Sequence, residues 1–146
     1  MDNRKIKFRA WDKKENKFWT EYPIVINGAG TLLRFGIKDG LVMGSIVGCI
    51  QADYVIQQFT GLIDKNGKEI YEGDLVNFTT NSLGGDEDFI SQEVHWARED
   101  GGWAFGRWLN TRGETTYFTI TGDWIKVKTL EIVGNIFENP ELVTTL

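Results

Sequence analysis

The chain has 146 residues, with sixteen Lys/Arg against twenty-one Asp/Glu, one histidine, one cysteine and two prolines. One β-rich domain over 1–146 is the expectation for that length, with 1–57 as N-terminal hairpins and 58–146 as a barrel-like core. Such a chain buries about 70% of its unfolded surface and needs no disulfide or metal staple.

Cys49 has no second cysteine to bridge to. With no apolar leader at the N-terminus, this places the expected home of the protein in a reducing cytoplasm. The longest uncharged stretch, 40–52, is interrupted by glycines and too short to cross a membrane. Seventeen glycines among 13% aromatics, six of them Trp, suit strands and turns better than helices. Charge is unevenly spread. Residues 1–17 carry seven Lys/Arg against three acids, and the remainder nine against eighteen. An acidic chain is a poor duplex-DNA binder, because phosphate neutralisation dominates that affinity. The basic end suits a local anion site, or attraction to the acidic remainder within or between copies.

Lys5, Lys7, Arg9 and Trp11 alternate with Ile6, Phe8 and Ala10, which predicts a strand with its basic face outward. A loop at 12–16 returns the chain through Phe18–Tyr22, and Pro23 confines that return to an edge. Leu32–Ile37 and Leu41–Met43 form a hairpin about Asp39-Gly40, and Gly44 and Gly48 predict a bent or bulged strand over 45–50. Tyr54–Phe59 leads into a run of turn signals at Thr60-Gly61, Asp64, Asn66-Gly67 and Glu72-Gly73. Asn66-Gly67 predicts a tight reversal with two consecutive positive-φ residues. Strand character resumes at Leu75–Thr80, and the polar stretch 81–88 is the best candidate for a mobile loop. Ile90–Ala97 places Val94 and Trp96 on one face and His95 on the other, and Glu99–Gly102 turns it onto Trp103–Trp108. Further turns at Arg112–Glu114 and Gly122-Asp123 precede a last strand, Leu130–Phe137, and one helical turn begun by Pro140. An opening Gly73-Asp74 turn, a meander and a late closing strand are similar to SH3-like small barrels.

Little in this chain names a reaction. Asp64-x-Asn66-Gly67 fails as a calcium loop, since the positions for its glycine and bidentate acid hold Glu69 and Leu75. One Cys and one His cannot fill a structural zinc site. His95 sits beside Trp96 in an apolar hairpin, and Cys49 lies among Ile46, Val47 and Ile50 with no neighbouring cation. The carboxylates at 86–88 and 99–100 lie in loops beside glycine pairs, unlike the rigid pair that a hydrolase needs. Cations interleaved with aromatics are the remaining lead: Lys5, Lys7, Arg9 and Trp11 on one strand, Trp103, Arg107 and Trp108 on another. Such a surface can stack single-stranded bases. Six tryptophans in a small β domain are better accounted for by core and subunit contacts.

Three blocks resemble the YopX family: Lys7–Asp12, Phe59–Val76 and Glu131–Leu142. They bracket nearly the whole chain. The resemblance implies an all-β, barrel-like fold with minimal helix, encoded by bacteriophages or prophages. It implies no enzymatic activity, no catalytic residue and no cofactor. The matched positions read as turn glycines (Gly61, Gly67, Gly73, Gly134) and aromatic plugs (Phe8, Trp11, Phe59, Tyr71). The expectation is a binding or assembly module, contacting a protein partner or a second copy. A nucleic-acid binder is the alternative, and a carboxylate hydrolase is less favoured still.

Overall fold

The computed structural model describes residues 5–20, 25–27, 29, 32–38, 41–49, 53–82, 85–119 and 125–143. Among the described residues there are twelve strands: β1 Phe8–Asp12, β2 Lys17–Phe18, β3 Val25–Ile26, β4 Leu32–Lys38, β5 Leu41–Cys49, β6 Tyr54–Ile63, β7 Glu69–Tyr71, β8 Asp74–Ser82, β9 Gly85–Ala97, β10 Gly102–Leu109, β11 Thr115–Thr119 and β12 Glu131–Asn135. The only helical pieces among the described residues are two 3-10 turns, Val127–Thr129 and Pro140–Leu142, the second opened by its proline. The fold is all-β. Two compact units divide the chain, one of Phe8–Gln57 and the other of Met1–Lys7 with Gln58–Leu146.

In the smaller unit β2 pairs with β1, and β3, β4 and β5 form a three-stranded antiparallel meander. The β4–β5 register slips on either side of Phe35, the irregularity that the strand glycines predicted. Ala10 and Tyr54 are buried, with Trp19, Ile26 and Ile56 packed around them. The simple alternation of β1 fails after Phe8: Ala10, Trp11 and Asp12 are buried in succession. Trp11 therefore does not share an outer face with Lys7 and Arg9. It packs edge-on against its cross-strand partner Phe18, ring centroids 5.1 Å apart. Period two marks burial only while one face of a strand is solvated. Here the Asp12 carboxylate turns inward to accept from the amides of Lys14 and Glu15, at 2.8 and 3.0 Å. The Glu15 amide foremost holds its pKa below the usual value.

The larger unit carries a five-stranded antiparallel sheet in the order β11-β10-β9-β8-β12. Its meander and late closing strand follow the small-barrel order read in the sequence. Val76, Phe78, Val94, Trp103, Phe105, Ile125 and Leu130 fill the core with Ile70. The phenyl rings of Phe78, Phe89, Phe105 and Phe118 meet at centroid distances of 4.6–5.5 Å. Within the stretch expected to be a mobile loop, Asn81–Ser82 and Gly85–Asp88 are instead in paired strands, with Thr80↔Glu87, Asn81↔Asp86 and Ser82↔Gly85 in register, while Leu83 and Gly84 lie outside the described residues. Its acids mislead because exposed strands that extend beyond a core need no apolar face. Asp88 accepts from the Thr79 hydroxyl at 2.7 Å, and Asp86 pairs with Lys126 at 2.6 Å. The turn at Gly122-Asp123 lies outside the described residues.

One turn design occurs twice in this unit. In Asp64–Lys68 the Asp64 carboxylate accepts from the amides of Asn66 and Lys68, while the Asp64 amide donates to the Lys68 carbonyl. In 110–114 the Asn110 side-chain oxygen accepts from Arg112 and Glu114, and the Asn110 amide donates to the Glu114 carbonyl. Each closes on one left-handed glycine, Gly67 at φ 83° and Gly113 at φ 76°. Asn66 is not left-handed, contrary to the expectation from Asn-Gly. The acceptor three residues before the glycine selects a three-residue loop over the two-residue primed turn.

Candidate functional site

The sheet's outer side at β9, β10 and β11 holds a cleft of 470 Å³ lined by His95, Arg98, Glu99, Arg107, Thr115 and Tyr117, with Trp96 and Ala97 completing the wall. Alternation builds its floor. Val94 points to the core opposite Phe105, so His95, paired with Ala104, falls on the other face. That side chain is nevertheless only 5% exposed. The Tyr117 ring covers it edge-on at 5.5 Å, and Nδ1 lies 3.4 Å from the Glu93 carbonyl. Burial, and then the Arg107 guanidinium, push the imidazole pKa below its usual 6.5, so His95 is neutral at pH 7.

A bulge builds the wall. The register runs Phe105↔Phe118 and then Trp108↔Thr116, so Gly106 and Arg107 together oppose Tyr117. Gly106 takes φ 65°, and a Cβ there would lie 2.0 Å from Gln92 Oε1. The positive φ favours glycine, any Cβ would also require the Gln92 side-chain end to swing aside, and the extra residue re-aims Arg107 toward Tyr117. The Asp100 carboxylate, hydrogen-bonded to the Tyr117 hydroxyl, pushes the phenol pKa up, with Glu99 adding to the effect. Among the described residues neither Arg98 nor Arg107 makes an ion pair. Trp96, 44% exposed, is braced edge-on by Trp103 at 5.1 Å.

The residues singled out in the sequence differ in their surroundings. Lys5 is exposed, and Lys7 is ion-paired with Glu69 and lies 5.8 Å over the Phe59 ring. Arg9 donates through Nε to Gln57 Oε1 at 2.8 Å and stacks 4.3 Å over the Phe18 ring. Trp11 and Trp103 are 4% and 8% exposed, closed to a stacking base. The Trp108 side chain lies outside the described residues. Only Arg107 of the seven lines the cleft. Tyr117 and Arg98 were missed, although Gly106 inside an aromatic strand was a readable bulge signal.

A second cleft, of 440 Å³, lies between Phe78, Phe89, Ile90 and the Lys65–Glu131 ion pair. No three His, Cys, Asp or Glu side chains among the described residues are placed to hold a metal ion. No helix among them is long and apolar enough to cross a membrane.

The model of the YopX protein family matches residues 7–144. The chain belongs to the YopX family. Protein EF1440 from Enterococcus faecalis is similar at 25% identity and a TM-score of 0.54, over 95% of this chain and 98% of that one. Protein yopX from Bacillus subtilis shares the fold at 19% identity and a TM-score of 0.53, over 94% and 97%. No curated protein matches the sequence. In YopX terms, the turn residues of the middle block are scaffold: Asp64, Gly67, Gly73 and Asp74 are all engaged in backbone geometry. The cleft of this YopX chain lies instead within 95–117, between the blocks that carry the family resemblance.

Proposed function

We propose that this YopX protein is a non-enzymatic binding or assembly module, encoded by a phage or prophage and acting in the bacterial cytoplasm. Its β9–β10–β11 face contacts a protein partner or a second copy. The observation that carries this reading is the grouping of Trp96, Arg107 and Tyr117 about one cleft, with the tryptophan half-exposed and braced from behind. Trp, Tyr and Arg are the residues that dominate binding energy at protein interfaces, and a braced ring loses little entropy on contact. Of the carboxylates a hydrolase would draw on, Asp74 binds a backbone amide, Glu69 pairs with Lys7, Asp86 pairs with Lys126 and Asp88 accepts from Thr79. Single-stranded nucleic acid is less well supported, because Trp11 and Trp103 are buried and Lys7 is paired.

Site-specific photo-cross-linking in living cells tests the proposal. A photoreactive phenylalanine analogue at Tyr117 is expected to trap a discrete higher-mass protein adduct, and the same group at exposed Glu141 to trap none. Absence of any adduct from Tyr117, with the protein folded, overturns the reading.

A further inference from the structure

The Asn66-Gly67 dipeptide is chemically reactive as well as structural. A glycine after an asparagine leaves its amide nitrogen unshielded, so that nitrogen can attack the carboxamide carbon of the asparagine. A new N–C bond forms, the bond from that carbon to the carboxamide nitrogen breaks, and ammonia leaves with the proton of the attacking group. Water then opens the cyclic imide to an aspartyl or isoaspartyl residue. Water is the one reagent consumed, and asparagine is thermolabile through this chemistry. Two such dipeptides occur in the chain, Asn27-Gly28 and Asn66-Gly67.

Both asparagines are exposed, yet hydrogen bonds restrain Asn66 against the reaction. The Gly67 amide, which is the attacking group, donates to the Asp64 carbonyl at 3.0 Å. The Asn66 amide donates to Asp64 Oδ1 at 2.8 Å. The Asn66 carboxamide donates to the Glu131 carboxylate, which also takes Lys65 at 2.7 Å. Attack requires the carboxamide to fold back over its own C-terminal peptide while the Gly67 nitrogen is free. The clasp on Glu131 holds it toward β12 instead.

We propose that Asn66 is a guarded deamidation site: Glu131 and the Asp64 turn suppress its conversion in the folded chain, and local opening of the turn releases it. Conversion does not reverse, so it records the opening. The donor that faced Glu131 becomes a carboxylate competing for Lys65. The isoaspartyl form also adds a methylene to the backbone of the turn, upsetting the spacing by which Asp64 Oδ1 takes the amides of Asn66 and Lys68. Both products weaken the tie between this turn and the start of β12.

Peptide mapping by mass spectrometry tests the inference. The full-length protein is incubated at mildly alkaline pH, folded and in concentrated urea, and conversion at each Asn-Gly is followed. In urea the two asparagines are expected to convert at similar rates, since local sequence alone then acts. In the folded chain Asn66 is expected to convert at least about tenfold more slowly than in urea. Glu131→Met keeps the side-chain stem without an acceptor and is expected to raise the folded rate several-fold. Glu131→Gln loses the ion pair but keeps an acceptor, and its rate is expected to stay near wild type. Both variants are compared under conditions where their urea transitions show them folded. A folded Asn66 that converts at its urea rate overturns the inference. Equal Asn66 rates in Glu131→Met and Glu131→Gln also overturn it, because the clasp would then contribute nothing.

Discussion

Asn135 donates its side-chain amide to the Asp74 carboxylate at 3.1 Å, joining two residues that are 2% and 1% exposed. The other oxygen of Asp74 accepts from the Tyr71 amide at 2.8 Å, and Asn135 Oδ1 accepts from the Phe137 amide at 3.1 Å. This polar knot fastens the Gly73 turn to the end of β12. Asp74→Ala leaves buried donors unmet and is expected to cost about 3 kcal/mol. Urea unfolding checks it, and a loss below about 1 kcal/mol would show that the knot is dispensable.

The twin turns differ by one contact each. Asp64 Oδ2 also accepts from the Ile132 amide at 3.2 Å, whereas Asn110 Nδ2 donates to Glu114 at 2.9 Å. Asp64→Asn sets a donor against the Ile132 N–H and is expected to cost about 2 kcal/mol. Asn110→Asp, at a surface turn, is expected to cost a few tenths (about 0.3 kcal/mol) through repulsion from Glu114. Equal losses in the two variants contradict this assignment.

Protonation of Asp64 should act like its amide replacement. Burial pushes its pKa up, but the amides of Lys68, Ile132 and Asn66 together outweigh that and hold it below 3.8. A depressed folded pKa gives stability that is full above the unfolded value and lost as pH falls through the folded one. Wild type should therefore lose stability as pH drops below 3.8, and Asp64→Asn should lose less over that range. Matching slopes in denaturant melts across this window rule it out.

His95 titrates in a separate window. Its folded pKa lies below 6.5, so the unfolded chain binds the proton first as pH falls. Stability should decline from pH 6.5 down to the folded pKa and then level. His95→Gln should flatten that segment. An imidazole midpoint at or above 6.5 by NMR would refute the prediction.

Gly106→Ala combines a left-handed backbone with a collision at Gln92. The backbone strain alone is expected to cost about 1–3 kcal/mol. The Gln92 Cβ lies 3.6 Å from the added methyl, an ordinary contact. Gln92→Ala should therefore rescue part of the loss, giving a double variant more stable than the sum of the singles. Strict additivity would exclude the steric contribution.

Legibility in the sequence followed local chemistry. Gly67, Gly73, Gly101 and Gly113 all stand at positive φ where turns were read, and Pro140 opens its 3-10 turn as expected. Those features depend on a few neighbouring residues. Trp11 and the paired strands within 81–88 were misread because what covers a strand, or pairs with it, comes from elsewhere in the chain. The cleft was obscured for the same reason. Arg98, Arg107 and Tyr117 belong to three different segments, and only the β10–β11 register brings the last two together. Asp64 was read as a turn former, but its bond to Ile132, 68 residues away, is invisible to local pattern.

The Phe59 amide donates to the Lys7 carbonyl at 2.9 Å, next to the two places where the chain passes from one unit to the other. The residues from Phe8 to Gln57 form a compact unit with its own small core of Ala10 and Tyr54. Units of this kind can be lengthened, shortened or traded without rethreading the host body. Changes of length within Phe8–Gln57 are therefore expected to leave the threading of the larger unit as it is.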